Sequence, residues 1–176
     1  MSTLRRLMLV AHVPILLGWI ILAWVVYDRL PERIPTHFDA TGNPDGYMER
    51  SIVSWFMLPL VGTISALTIA FSSVYTGRNP HRWNVPNKQA FLALSDAQRQ
   101  PIVEMMNTLM AGISLGTLLF LAALHFDSWR IVSGASRKLS FISFTILGVL
   151  LVVGITAGIV FTLRFRRMLR EAAGSK

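Results

Sequence analysis

Four long apolar stretches, separated by polar segments, dominate the pattern of hydrophobic and polar positions along the chain. The pattern predicts helices over residues 7–27, 52–75, 102–126 and 139–163. A helix of about 20 apolar residues spans the roughly 30 Å hydrocarbon core of a bilayer, and each stretch is at least that long. The sequence therefore predicts an all-α integral membrane protein with four transmembrane helices, in which residues 1–176 form one membrane domain.

Composition supports a membrane protein and narrows its chemistry. Of the 176 residues, 53% are hydrophobic and 15% are charged, with a mean hydropathy of +0.52. A water-soluble domain could hardly bury so much apolar surface. The chain has no cysteine, which excludes disulfides and cysteine-based zinc sites. The interiors of the four apolar stretches carry no Asp or Glu, which disfavours a proton-driven pump.

The distribution of basic residues predicts the orientation in the membrane. The net charge is +8, but the basic residues flank the apolar stretches and do not form a nucleic-acid-binding face. Four spans place both termini and the segment 76–101 on one side, and the segment 28–51 with the third connection on the other. Lysine and arginine number 11 on the first side and 6 on the second. The positive-inside rule therefore predicts that both termini are cytoplasmic and that 28–51 faces outward.

The outer segment 28–51 holds the densest polar chemistry of the chain. Its candidate ligand-binding residues are His37, Asp39, Asn43 and Asp45. Oxygen-bearing side chains at alternating positions from Asp39 to Asp45 would suit calcium, but an EF-hand would need glycine where Pro44 stands and glutamate where Arg50 stands. The sequence Asn-Pro-Asp-Gly over 43–46 is typical of a turn, which is the interpretation we favour.

Two histidines and two carboxylates offer an alternative metal site on the same outer side. The candidate ligands are His37, Asp39, His125 and Asp127. Such a set would suit zinc or copper, and the protein would then be a metal-dependent enzyme in which the ion polarises a water or a substrate. The remaining histidines, His12 and His81, belong to the cytoplasmic half and could not join this site.

Glycine and serine motifs in the last two helices predict packing and raise one catalytic alternative. Gly112 with Gly116 and Gly154 with Gly158 are G-x-x-x-G pairs, so we expect these helices to pack on each other; the same glycines would also suit a homodimer. Gly112 to Gly116 also matches the G-x-S-x-G pattern of serine hydrolases, but it lies inside a helix. His125 would lie about 16 Å further along that helix, so a hydrolase would need a histidine from elsewhere.

A capping motif predicts where the third long helix begins. Ser95 is followed three residues later by Gln98, which has the form of a capping box. We therefore expect that helix to start in the polar segment, before the apolar stretch.

Residues 30–39 and 42–47 resemble the signature of a bacterial membrane family called domain of unknown function 1648. Its usual form is L-P-x-x-I-P-x-H-F/W-N, then G-x-P-D-G and an aromatic residue; Asp39 stands in place of the usual asparagine. Residues 84–88 resemble a second element of the family, Asn-x-Pro-Asn-Lys/Arg. The resemblance implies a location in the bacterial cytoplasmic membrane.

The same domain occurs in proteins similar to the sporulation-delaying-protein immunity family, which protect a membrane against a toxic peptide and relay its presence to a cytoplasmic repressor. The resemblance implies an immunity or signalling role without catalysis or cofactor. A peptide or envelope ligand would bind outside, and a cytoplasmic regulator or anionic lipid would contact the inner side. A metal enzyme and a small transporter remain the alternatives.

Overall fold

Four long helices and one β-hairpin are the main elements of the computed structural model, which describes the backbone of residues 2–174. The elements in chain order are α1 (Thr3–Tyr27), β1 (Arg33–Phe38), β2 (Pro44–Glu49), α2 (Ile52–Arg78), a 3₁₀ turn (Pro80–Arg82), α3 (Lys88–Leu92), α4 (Asp96–Val132) and α5 (Phe141–Gly174). Among them α1, α2, α4 and α5 contain windows long and apolar enough to cross a membrane. The prediction of four transmembrane helices is confirmed.

The long helices extend beyond the apolar stretches, because polar residues at their ends also adopt the helical conformation. Helix α4 begins at Asp96, where the Ser95 hydroxyl accepts a hydrogen bond from the Gln98 backbone N–H at 3.4 Å. The Gln98 side-chain oxygen accepts in return from the Ser95 N–H at 3.0 Å. This capping box confirms the predicted start of the helix. Hydropathy detects only the apolar portion of a helix, so the helices predicted from it are shorter than the observed ones.

Helix α4 lies at the centre and packs against α1, α2 and α5. Two buried apolar clusters occupy opposite ends of the bundle. The cluster at the end where the chain starts contains Trp83, Phe91, Ile102 and Phe165 among others. The cluster at the end that carries the hairpin contains Ala23, Val26, Leu30, Ile34 and Trp55. The hairpin therefore shares a core with the helices below it.

Residues 28–51 contain a two-stranded antiparallel sheet that the sequence interpretation missed. Arg33 pairs with Glu49, Pro35 with Tyr47, and the pairing is irregular around Thr36. The strands were hard to recognise because each has only six residues and each contains a proline, which weakens a strand signal. The predicted turn over 43–46 is in part strand, since β2 already begins at Pro44.

The glycine pairs do not meet in the way that the sequence suggested. Helices α4 and α5 do pack on each other, and a Cβ atom on Gly116 would overlap the side chain of Leu150. A Cβ atom on Gly154 or Gly158, however, would meet nothing within 4 Å. The close contact is thus glycine against leucine, and Gly154 and Gly158 of α5 take no part in it.

Candidate ligand-binding hairpin

The turn of the hairpin is organised by the carboxylate of Asp39. Its Oδ1 accepts hydrogen bonds from the Thr41 N–H and hydroxyl, both at 2.8 Å, and from the Asn43 N–H at 2.9 Å. The hydroxyl of Thr41, followed by the backbone of Asn43, lowers the pKa of Asp39 from 3.8 to about 2. Gly42 completes the turn with a φ of +84°, a conformation that glycine adopts at little cost.

His37 of β1 and Asp45 of β2 form a separate polar pair. His37 Nδ1 lies 2.5 Å from Asp45 Oδ1, and the two side chains are 73% and 47% exposed. Gly46 lies opposite His37, where an added Cβ atom would come within 2.7 Å of the His37 Cβ. The sheet therefore brings His37 and Asp45 together at the surface through the close approach that Gly46 permits, and both remain accessible to a ligand.

The hairpin is docked on the bundle at two places. At the turn, the carbonyl oxygen of Gly42 accepts a hydrogen bond from the Leu139 N–H at 2.9 Å, in the connection between α4 and α5. At the base, Leu30 and Ile34 are buried against Trp55. Arg50 adds a hydrogen bond to the carbonyl oxygen of Leu30 at 2.8 Å. The segment therefore caps the helices instead of standing free above them.

The exposed side of the hairpin base carries charges of both signs around an aromatic ring. A surface hollow of about 540 Å³ is lined by Glu32, Arg33, Tyr47, Glu49 and Arg50. The Arg33 guanidinium lies 5.7 Å from the centre of the Tyr47 ring, and Tyr47 is 45% exposed. We name these five residues the mixed-charge hollow. They lie beside, and are distinct from, the His37–Asp45 pair.

The other predicted metal ligands have separate structural roles. Asp127 is 1% exposed, and its Oδ2 accepts from the Ser140 N–H and hydroxyl, both at 2.8 Å, and from the Ser143 hydroxyl at 2.7 Å. It thereby caps the start of α5, where a negative charge is favoured by the helix dipole. His125 lies inside the bundle instead and accepts a hydrogen bond from the Trp19 indole at 2.7 Å.

The structure therefore does not assemble the four-residue metal set. Within residues 2–174, no group of three or more His, Asp or Glu side chains is placed to hold a metal ion. His37 pairs with Asp45, and Asp39 bonds within the turn. His125 lies against a tryptophan, and Asp127 caps a helix terminus. The sequence pattern predicts that all four residues lie on the same side of the membrane. It does not distinguish exposed positions from buried ones.

A histidine does approach Ser114 of the G-x-S-x-G motif, and it comes from α1. His12 Nε2 lies 2.9 Å from the Ser114 hydroxyl, and its Nδ1–H donates to the carbonyl oxygen of Met8 at 2.8 Å. Both residues are at least nine-tenths buried, which makes the bond a cross-link between two helices. The sequence held a signal for it, since each residue is a polar group inside an apolar stretch.

Comparison with known proteins identifies the hairpin region. Residues 14–63 match the family model described as Domain of unknown function (DUF1648). The DUF1648 match covers 50 of the 176 residues, from within α1 through the hairpin to the middle of α2. It confirms the resemblance seen in the signature residues. No curated protein and no solved structure gave a significant match to the chain.

Proposed function

We propose that the protein is a multi-pass protein of the bacterial cytoplasmic membrane that binds a peptide or envelope ligand through its hairpin, without turnover, in an immunity or signalling role. The docked hairpin is the observation that supports this function. Because Gly42 and Leu30 fix it to the bundle at two separate places, a ligand would meet a preformed surface. Little ordering cost would then be subtracted from the binding free energy.

The chemistry of the exposed surface favours a peptide as the ligand. The mixed-charge hollow offers carboxylates and guanidiniums that complement charged groups of either sign. Tyr47 adds a partly exposed aromatic surface. In the described part of the chain the sheet has two strands, so an extended peptide could also pair with the edge of β2 that does not face β1.

The opposite end of the bundle supports the inner half of this proposal. A hollow of about 510 Å³ lies between α3 and the last turns of α5, and Arg166 and Arg170 contribute to its lining. Cationic side chains beside Phe165 and Leu169 suit an anionic lipid headgroup or an acidic surface of a cytoplasmic regulator. The chain thus offers one distinct surface at each end.

A survival assay tests the role of the mixed-charge hollow. Bacteria that express the protein would be exposed to a panel of membrane-active peptides, and survival would be compared with cells that lack it. We expect protection against at least one peptide, and binding of that peptide to the purified protein. Tyr47→Ala and Arg33→Glu should each weaken that binding about tenfold or more, since buried aromatic and arginine anchors dominate such interfaces.

Matched variants show whether the effect is local to the hollow. Tyr75→Ala removes an exposed tyrosine at the other end of α2, and Arg137→Glu reverses an exposed charge near the start of α5. Both should retain protection and binding at equal amounts of membrane-inserted protein. Full protection by the double variant Tyr47→Ala, Arg33→Glu would contradict binding through the hollow. Failure of the unaltered protein to protect against or bind any peptide of the panel would contradict the immunity role.

A further inference from the structure

A long groove separates α4 from α5 on the side of the bundle that would face lipid. It has a volume of about 780 Å³ and is also bordered by Met8 of α1. Its lining runs along α5 from Leu147 to Arg164, a distance of about 26 Å at the helical rise per residue. The groove therefore extends through most of the roughly 30 Å hydrocarbon core.

Glycines of both helices shape the groove. Gly116 lets α4 approach Leu150 of α5 closely. Gly112 and Gly154 line the groove, and a Cβ atom on Gly154 would meet nothing within 4 Å. In the membrane such a groove is filled by lipid or protein, because its few polar atoms could not hold a column of water.

Among the described residues that line this groove, Arg164 provides the only charged side chain. It is exposed, lies at the end where the apolar part of α5 gives way to basic residues, and forms no ion pair with another residue of the described chain. The rest of the lining is apolar apart from Thr108 and Thr117. An apolar groove with one unpaired guanidinium at its end complements a molecule with an acyl chain and an anionic head.

We propose that this groove binds one anionic phospholipid, with its phosphate at Arg164 and one acyl chain against Gly154 and Gly112. Guanidinium groups bind phosphate oxygens through paired, charge-assisted hydrogen bonds. An acyl chain reaches about half the hydrocarbon thickness, so the groove is long enough for it. A second copy is a poorer occupant, because a two-fold dimer through this face of α5 would bring two Arg164 side chains to the same depth.

Native mass spectrometry of the purified full chain tests this site with two defined lipids. Phosphatidylglycerol and phosphatidylcholine with identical acyl chains would be added at equal concentrations, so that only the headgroup charge differs. We expect the unaltered protein to retain one phosphatidylglycerol in preference to phosphatidylcholine. Arg164→Gln should reduce that preference about tenfold, as expected for the loss of a charge-assisted contact, whereas Arg137→Gln, which changes an exposed arginine outside the groove near the start of α5, should preserve it.

Filling the groove tests the position of the acyl chain. Gly154→Leu should abolish the retention of phosphatidylglycerol, since nothing lies within 4 Å of an added Cβ atom and the larger side chain would occupy the groove. Gly148→Leu is the matched control, because Gly148 also has nothing within 4 Å of an added Cβ atom but does not line the groove. Gly154→Ala should give an intermediate loss and serves if the leucine variant is not inserted into the membrane.

Three results would overturn the proposal. The first is equal retention of phosphatidylglycerol by the Gly154→Leu, Gly148→Leu and unaltered proteins. The second is equal retention of the two lipids by the unaltered protein. The third is a dimer that Gly154→Leu converts to monomer, which would make the groove a helix-docking site. None of these measurements depends on the hairpin, so they stand apart from the test of peptide binding.

Discussion

Gly42 and Gly46 show that the signature residues of the hairpin act through backbone shape as well as through side-chain chemistry. Gly42 combines a φ of +84° with close packing against Phe144, while Gly46 allows the close approach of His37. From the sequence, the glycines and prolines could be recognised as residues of a tight turn. Which neighbours they contact could not be predicted, since Leu139 and Phe144 lie about a hundred residues further along the chain.

Replacement of Gly42 measures the strength of the docking. Gly42→Ala should lower the free energy of unfolding by about 2–3 kcal/mol, because it adds crowding against Phe144 to the cost of a left-handed conformation. Gly134→Ala is the control: its φ is +76°, but its Cβ atom would meet nothing within 4 Å. It should cost only about 1–2 kcal/mol. Equal losses in detergent unfolding experiments would show that the docking contributes little.

The carboxyl group of Asp39 predicts a pH dependence of the turn. Its pKa is about 2 in the folded hairpin and 3.8 ordinarily, so its contribution to stability is complete above about pH 4 and is lost as the pH falls towards 2. A carbon-13 NMR titration of the labelled side chain should give the low value. Thr41→Val should raise the pKa towards 3.8, whereas Thr41→Ser, which keeps the hydroxyl, should leave it low. A pKa near 3.8 in the unaltered protein would contradict the hydrogen-bonded turn.

At the scale of elements, hydropathy located all four helices because a membrane requires long apolar stretches. It did not predict how they pair. The cross-link of His12 to Ser114 joins α1 to α4, and the capping of α5 by Asp127 joins two consecutive helices. Both contacts depend on residues that the sequence pattern had assigned to a hydrolase motif, to a metal site or to no site. A single polar residue in an apolar stretch signals a partner, but its sequence position does not say which helix provides that partner.

Removal of the hydroxyl of Ser114 tests the cross-link. Ser114→Ala should lower the free energy of unfolding by about 0.5–2 kcal/mol, because buried His12 loses its hydrogen bond to α4. Thr145→Ala is the control, since that hydroxyl bonds to the carbonyl oxygen of Phe141 in its own helix. Unfolding in mixed detergent micelles would compare the two. A loss for Ser114→Ala no larger than that for Thr145→Ala would show that the cross-link is energetically minor.

At the scale of the whole molecule, the functional proposal depends on which end of the bundle faces outward. The connectivity places the hairpin at one end and the capping box of α4 at the other. Eleven lysines and arginines belong to the end with the capping box, and six belong to the hairpin end. Basic residues are retained in the cytoplasm during insertion, so the hairpin should be the translocated part.

The absence of cysteine from the sequence permits a direct test of this orientation. Glu32→Cys at the hairpin end and Ala97→Cys in the first turn of α4 introduce single thiols at exposed positions. A membrane-impermeant maleimide added to intact cells with a permeabilised outer envelope should label Glu32→Cys and leave Ala97→Cys unlabelled. Both should react after the cytoplasmic membrane is disrupted, which controls for accessibility. The reverse pattern would place the hairpin in the cytoplasm, and binding of an external peptide through the mixed-charge hollow would then be excluded.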